Sequence, residues 1–215
     1  MKLFGKNKKT LSYSAISLWT KSREMYRKRY FEGIKFSDTV FTIAGKEIEK
    51  QIYAGKYPEI PFWGGEQTKL QINIEGIPII GYLDSFHKEE LKFLDYKTSI
   101  TPWTQFDVQK LEQLAFYNFM IKKIYGAVEP ICNLVWLETK MVPSKGLLSN
   151  GDSLCYTGKF EIFKRRIIET DRKRIEKWIL KSEEEISDDY TNWLEERAKL
   201  SPLPDLGGRT GTLLT

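Results

Sequence analysis

The chain has 215 residues, of which 41% are hydrophobic and 13% aromatic, and its formal net charge at pH 7 is +5. This content suits a single domain with a packed core and excludes a disordered chain. The sequence has no run of 18 or more apolar residues, and its first eleven residues are too polar for a signal peptide, so we expect a soluble, cytoplasmic protein.

The residue types limit the kind of metal site that the chain could form. It contains two cysteines and one histidine. Two cysteines cannot supply a four-cysteine zinc or iron–sulfur site, and in the cytosol Cys132 and Cys155 are expected to be free thiols. His87 falls in a predicted loop, where we expect solvent exposure rather than metal binding. A metal ion would therefore be held mainly by carboxylates, which favours Mg²⁺ or Mn²⁺.

Two helices are predicted at the N-terminal end. The first begins at Ser12 or Ser14 and continues to about Tyr30, and the second spans residues 38–54 and ends before Gly55. The apolar residues that recur at helical spacing, and are therefore expected to face the core, are Ile16, Trp19, Met25, Tyr26, Phe41, Ala44, Ile48 and Ile52.

A run of strands follows. Residues 68–74, 77–86 and 91–98 are rich in β-branched and aromatic residues, with a tight turn at Glu75-Gly76 between the first two. The elements predicted after them are a helix with Thr101 as N-cap, Pro102 in its first turn and Gly126 at its end, strands at 131–139 and 156–163, a long helix from about Thr170, and a flexible tail at 201–215. This order predicts one α/β domain over residues 1–200, with a mixed sheet flanked by helices.

Two carboxylates and a lysine are expected to share one face of the sheet. Asp95 and Lys97 are two residues apart in a predicted strand, so their side chains leave the same face. A symmetric hairpin loop at residues 87–90 would place Asp84 opposite Phe93, on that face and diagonal to Asp95. Diagonal neighbours lie about 7–8 Å apart. At that separation both carboxylates could reach one divalent ion.

This arrangement is what phosphodiester hydrolysis requires. Carboxylates bind Mg²⁺, which polarises the phosphate and lowers the pKa of a bound water. A neighbouring lysine stabilises the charge that develops on the phosphate. The alternative is an exposed hairpin with a surface ion pair between Asp95 and Lys97, a common pattern.

The wider sequence resembles a known enzyme family. The segments that carry the resemblance, within about residues 11–140, are Leu11–Ile16 (LSYSAI), Gly45 with Glu49, Gly81–Asp84 (GYLD), Phe93–Thr98 (FLDYKT) and Gln113–Tyr117 (QLAFY). In this order they resemble the RecB-like branch of the PD-(D/E)XK nucleases. The resemblance implies a restriction-endonuclease-like core, and it selects the catalytic interpretation over the surface ion pair.

The resemblance also implies roles for individual residues. Asp84 and Asp95 would be metal ligands, with Glu49 as a third ligand and the carbonyl group of Tyr96 as a fourth. Many family members have histidine where this chain has Glu49, and the alternative for Glu49 is a solvated helix residue. Lys97 would be the electrostatic catalyst.

Two further groups of residues could bind nucleic acid. Gln113 and Tyr117 are one helical turn apart, and the resemblance implies that both line the active-site cleft. From spacing alone, Tyr117 would belong to the core and Gln113 to the solvent. The basic run 164–181, with Arg165 and Arg166, is either a solvated face or a rim that contacts phosphates.

The sequence therefore predicts a Mg²⁺- or Mn²⁺-dependent deoxyribonuclease. No cysteine quartet for an iron–sulfur cluster and no helicase segment are present. The compact size favours an exonuclease that acts on DNA ends or single strands in recombination or repair, and a phage-encoded enzyme is expected. The alternatives are an endonuclease for DNA or RNA and a catalytically silent nucleic-acid-binding subunit. A protein partner or a homo-oligomer is compatible with all three.

Overall fold

The structure is a computed structural model that describes residues 10–64, 66–126, 129–143 and 152–200. The strands are β1 (Leu11–Ser12), β2 (Thr68–Ile74), β3 (Ile77–Leu83), β4 (Ser85–His87), β5 (Lys92–Ser99), β6 (Ile131–Pro143) and β7 (Asp152–Arg165). The helices are α1 (Tyr13–Lys21), α2 (Arg23–Tyr26), which continues into a π-helical turn (Arg27–Phe31), α3 (Val40–Tyr53), α4 (Gln105–Lys110), α5 (Glu112–Tyr125) and α6 (Glu169–Leu200).

The strands form two mixed sheets. One has the order β1-β3-β2, with β1 parallel and β2 antiparallel to β3. The other has the order β4-β5-β6-β7, in which only the β5–β6 pair is parallel. Since β3 and β4 are separated by Asp84 alone, the two sheets meet at that residue. The predicted fold class, α/β with mixed sheet flanked by helices, is confirmed.

The core lies on both faces of the four-stranded sheet. Alternate residues of β5 point to opposite sides, as the pleat requires. Phe93 belongs to the larger hydrophobic cluster, with residues of α1, α5 and α6, whereas Leu94 and Tyr96 belong to a smaller cluster with α3. Asp95 and Lys97 therefore lie on the side of α5.

The first predicted helix is in fact two helices, because the helix is interrupted at Ser22. This residue has extended backbone angles, and its side chain accepts a hydrogen bond from the amide of Met25, which starts α2. Serine competes for helix amides in this way. The break turns Met25 outwards, where it is 37% exposed, and Phe41 on α3 is 54% exposed, so neither is a core residue as predicted.

The helix predicted from Thr101 begins later and in two pieces. Thr104, not Thr101, is the N-cap of α4, and it forms a capping box with Asp107. The chain then has extended backbone angles at Leu111 before α5 begins. The predicted end at Gly126 is correct, since this residue has φ of 81° after the last turn.

The remaining predictions concern the cysteines, His87, the C-terminal tail and membrane-spanning segments. Cys132 and Cys155 are free, as expected. His87 is not in a loop but ends β4, with its imidazole 3.4 Å from the carboxylate of Glu89. The tail predicted at 201–215 lies outside the described residues. No helix in the described ranges is long and apolar enough to cross a membrane.

Candidate active site

The site forms where β3 ends and β4 begins. Ser85 resumes the strand by pairing with Leu94, and its hydroxyl is bound by the backbone of Trp63, which donates at 2.6 Å and accepts at 2.9 Å. Asp84 is in neither strand. Its Oδ2 instead accepts a hydrogen bond of 2.8 Å from the amide of Tyr96 on β5. The side chain thereby occupies the gap left by the missing strand pairing.

The predicted hairpin register was wrong by two residues. The observed pairs, Phe86 with Phe93 and His87 with Lys92, would place Asp84 directly opposite Asp95 if they continued. The register changes because the strand begins one residue later, after Leu91, which has a positive φ of 46°. A shift of two residues preserves the face to which each side chain points. The shared face of the two carboxylates is therefore retained.

Asp95 and Lys97 form the centre of the site. Asp95 is 2% exposed, and its Oδ2 lies 2.7 Å from Nζ of Lys97, whose side chain is 28% exposed. This ion pair lies outside regular hydrogen-bond geometry, and Oδ2 has no hydrogen-bond partner among the described residues. The ammonium group of Lys97 is thus the partner that the described residues provide for this buried oxygen.

The electrostatics of the site are dominated by excess negative charge. Burial, followed by the charges of Asp95 and Glu49, holds the pKa of Asp84 well above its ordinary value. Burial also raises the pKa of Asp95, although Lys97 counteracts this effect. Burial works to lower the pKa of Lys97, but the carboxylates of Asp95 and Asp84 outweigh it and the net shift is upward. The cluster therefore favours binding of a cation.

Helix α5 brings Gln113 and Tyr117 to this cluster. Nε2 of Gln113 donates to the hydroxyl of Tyr117 at 3.1 Å, so the two side chains share a helix face. Tyr117 is buried, and burial together with the charge of Asp95 raises its pKa. Close packing holds this helix against β3, since a Cβ at Gly81 would lie 3.0 Å from Cε1 of Tyr117.

Glu49 approaches from the opposite side, on α3. Its Oε1 accepts hydrogen bonds from the hydroxyl of Tyr53 and from Nε2 of Gln67, the latter at 2.9 Å. It lines a cleft of about 400 Å³ together with Tyr96 and Lys97. Glu49 is thus near the two aspartates, but its carboxylate is held by neighbours of its own.

Several residues of the site have no signal in the sequence that singles them out. Tyr13 interacts electrostatically with Lys97, Glu112 and Asp95, and burial is the main cause of its raised pKa. Tyr53 and Gln67 were missed as partners of Glu49. Only the i, i+4 spacing of Glu49 and Tyr53 on one helix face could have indicated a contact.

Arg165 is not on an exposed rim, and that part of the prediction is wrong. It is 4% exposed, and Nη1 donates to the carbonyl group of Leu111, between α4 and α5. Arg166, the first residue after β7, is exposed, as expected. Neither arginine has a described contact with Asp84 or Asp95.

The oxygen-rich character of the site fits a hard divalent cation, but the fit rests on two side chains. Asp84 and Asp95 lie together with an excess of negative charge, and Lys97 is the single cation paired with them among the described residues. Among the described residues, no three His, Cys, Asp or Glu side chains are grouped as a metal-binding set. The structure thus offers a carboxylate pair, with Glu49 nearby but turned to Tyr53 and Gln67.

Comparison with solved structures relates this architecture to two known proteins. A phage-related exonuclease from Haemophilus somnus 129PT has a TM-score of 0.50 at 15% identity, covering 91% of this chain and 92% of its own. A candidate exonuclease from Eubacterium rectale has a TM-score of 0.50 at 13% identity, covering 85% of each chain. The likeness shows the fold. No family model and no curated protein matches the sequence.

Proposed function

We propose that the protein is a Mg²⁺- or Mn²⁺-dependent nuclease that hydrolyses phosphodiester bonds in DNA, and that it belongs to the RecB-like branch of the PD-(D/E)XK nucleases. The observation that carries this proposal is the joint placement of Asp84, Asp95 and Lys97 on one face of the sheet, where β3 and β4 part. The carboxylate of buried Asp95 and that of partly buried Asp84 face a single ammonium group there. Such an imbalance is unfavourable in a structural ion pair but suits a cation and a phosphate.

The residues have distinct parts in this proposal. Asp84 and Asp95 would hold the metal ion, with the carbonyl group of Tyr96 and Glu49 as further oxygen ligands. When bound, the ion supplies Lewis-acid polarisation of the phosphate and a more acidic water. Lys97, which is partly exposed, stabilises negative charge on the phosphate group as its bond to the leaving oxygen breaks.

Gln113 and Tyr117 position the substrate beside this centre. The Tyr117 hydroxyl accepts from Gln113 and keeps its own proton, because burial raises its pKa. It therefore acts as a hydrogen-bond donor rather than as a base. Gln113 is partly exposed and offers its amide to a phosphate or a base at the mouth of the site.

The fold and the charge of the chain favour an exonuclease. The two solved structures reported above are described as exonucleases, one of them phage-related. The net charge of +5 is compatible with a polyanionic substrate. We favour action on DNA ends or single strands in recombination or repair, with an endonuclease as the alternative.

A cleavage assay with end-labelled DNA tests this proposal. Linear single-stranded and duplex DNA, labelled at either the 5′ or the 3′ end, is incubated with Mn²⁺ or with EDTA. We expect cleavage only with Mn²⁺, and release of mononucleotides from one end. The end whose label is released first gives the direction in which the enzyme digests DNA.

Covalently closed circular DNA separates the two kinds of nuclease. An exonuclease leaves closed circles intact, whereas an endonuclease opens them. Asp84→Ala and Asp95→Ala serve as inactive controls. Undiminished cleavage in excess EDTA would contradict the mechanism, and a wild-type protein that binds DNA but never cuts it would identify a silent binding subunit.

A further inference from the structure

Helix α4 presents an exposed aromatic ring next to a cationic group. Phe106 is 65% exposed, the largest value for any large hydrophobic residue in the described ranges. Nζ of Lys110, one turn later, lies 3.6 Å from the centre of its ring. The ring therefore has no core to pack against. An exposed aromatic ring beside a lysine is a typical platform for stacking an unpaired base.

The end of β7 adds positive charge next to this ring. Nε2 of Gln105 donates to the carbonyl group of Lys164 at 3.0 Å, which ties α4 to the strand. Lys164 and Arg166 are exposed, on either side of the buried Arg165. Among the ion pairs of the described residues, none involves Lys110, Lys164 or Arg166. These cations are therefore available to an anionic ligand.

A cleft of about 630 Å³ lies beside these residues. It is lined by Gln109 of α4, by Lys164, Arg165 and Arg166, and by the start of α6. Nε of Arg165 is buried without a hydrogen-bond partner among the described residues. The two acidic residues of the cleft lining, Glu129 and Glu169, are both paired with Arg172. The cleft thus carries net positive charge and suits a phosphate group.

This surface is close to the candidate active site. Arg165 pairs with Cys132, which pairs with Phe93, two residues before Asp95 on β5. Standard strand spacing and rise then place the backbones of Arg165 and Asp95 roughly 12 Å apart. This distance is short enough for one DNA strand to span. One strand of DNA could therefore contact both places.

We propose that α4 and the end of β7 form a binding surface for single-stranded DNA, which we call the α4 surface: Phe106, Gln109, Lys110, Lys164 and Arg166. Phe106 stacks on an unpaired base, and the cationic side chains bind the phosphates on either side of it. The inference rests on the proposed nuclease function and deepens it, because it names an unpaired strand as the substrate next to the scissile bond.

Binding of a fluorescein-labelled oligothymidine, measured by anisotropy in EDTA and in Ca²⁺, tests the surface without cleavage. Phe106→Ala should weaken binding by about tenfold, the lower part of the range for one stacked base. Phe106→Leu keeps an apolar side chain but removes the ring, so it should weaken binding to a similar extent. Lys164→Ala with Arg166→Ala should reduce the salt dependence by up to about 1.4 log units per tenfold change in salt, for two single-strand phosphates.

The control is a pair of lysines on α6. Lys173 and Lys177 are exposed and, like Lys164, form no ion pair with another described residue, but they line a different groove. Their double alanine variant should bind with the wild-type affinity and salt slope. Thermal unfolding of every variant confirms that the fold is kept, as expected for exposed positions.

Three results would contradict the proposal that the α4 surface binds single-stranded DNA. They are unchanged affinity in the Phe106 variants, tighter wild-type binding of blunt duplex DNA or oligouridine than of oligothymidine, and no wild-type binding in either buffer. The proposed function is judged separately, by Mn²⁺-dependent cleavage. If the wild type cleaves DNA but the Phe106 variants bind DNA as tightly as the wild type, only the proposed surface is refuted. If the Phe106 variants lose DNA binding but the wild type does not cleave, only the proposed nuclease function is refuted.

Discussion

Two buried polar clusters lie on the same side of the four-stranded sheet, and they are built differently. One is the candidate active site around Asp95. The other, the Arg172 network, joins α5, α6 and the start of β6. In this network the Arg172 guanidinium donates to Asn118 at 3.1 Å and to Glu129 at 2.9 Å. Asn118 in turn donates to the sulfur of Cys132 at 3.2 Å.

The two clusters differ in how their charges are balanced. Arg172 also pairs with Glu169, so the network has a partner for its buried cation and for the amide of Asn118. At the active site, by contrast, two aspartates share one lysine, whose contact with Oδ2 of Asp95 lies outside regular hydrogen-bond geometry. Satisfied polar groups stabilise a fold, whereas unsatisfied ones indicate a ligand or a reaction. Substitutions should therefore have opposite effects in the two clusters.

The largest expected effect is on catalysis, at Lys97. Lys97→Ala should lower turnover on the order of 10²–10³-fold, about 3–4 kcal/mol of barrier, because it removes one preorganised charge. Metal binding and folding should be retained, since lysine is not a ligand. Lys97→Arg should restore little, because a planar guanidinium does not replace a compact ammonium group.

Single-turnover cleavage with Mn²⁺ measures this effect, and DNA affinity provides the control. A Lys97→Ala variant with activity within about threefold of the wild type would place the active site elsewhere. If the wild type itself does not cleave, the silent binding subunit becomes the better description.

A second difference between the clusters is their response to metal. At 100 times its dissociation constant, Mn²⁺ should stabilise the wild type by about 2.7 kcal/mol through mass action. Differential scanning fluorimetry should then show a rise in Tm of about 5–10 °C. Asp95→Ala should abolish this rise. Glu195→Ala, at an exposed position far along α6, should keep it, and an equal rise in all three proteins would argue against a specific site.

The Arg172 network should respond in the opposite way. Arg172→Met should destabilise the fold by about 2 kcal/mol, since Asn118 and Glu129 lose a buried donor. The Tm rise with Mn²⁺ should persist. Arg174→Met is the matched control: its side chain is 54% exposed and paired with Glu112 and Asp171, so its loss should cost about 1 kcal/mol or less. Urea unfolding measures both, and equal effects would show that burial is not the cause.

The sequence was sufficient for the part of the site that depends on strand alternation. Asp95 and Lys97 are two apart in one strand, so no detail of the loop could separate them. Asp84 kept its face despite the register error, because the error was an even number of residues. The i, i+4 spacing of Gln113 and Tyr117 was sufficient to predict that they share a helix face, whereas their place in the active-site cleft was implied by the family resemblance.

Features that depend on tertiary context were not predictable from one sequence. Arg165 and Arg166 look alike as basic residues, but the fold buries one of them and exposes the other. The contact between Glu49 and Gln67 joins a helix to a segment 18 residues later in the chain. The break at Ser22 depends on whether its hydroxyl binds a local amide, a choice that propensity alone does not decide.

The smallest expected effect is a gain in stability at the active site. Asp84→Asn removes the partly buried one of the two negative charges, while the amide oxygen can still accept the hydrogen bond from the amide of Tyr96. The ion pair between Asp95 and Lys97 is left intact. Without metal, this variant should be about 1 kcal/mol more stable than the wild type, because active-site groups are commonly kept at a cost in stability.

Urea unfolding in EDTA measures this gain, and Asp189→Asn is the control. Asp189 is also a partly buried aspartate, but it forms a two-point ion pair with Arg27. Its neutralisation should lower stability, because a balanced pair loses one partner. Adding Mn²⁺ should then reverse the order at the active site, since only the wild type gains the binding free energy. If Asp84→Asn is less stable than the wild type in EDTA, the two carboxylates are balanced by groups of the protein itself, and the contrast between the two clusters disappears.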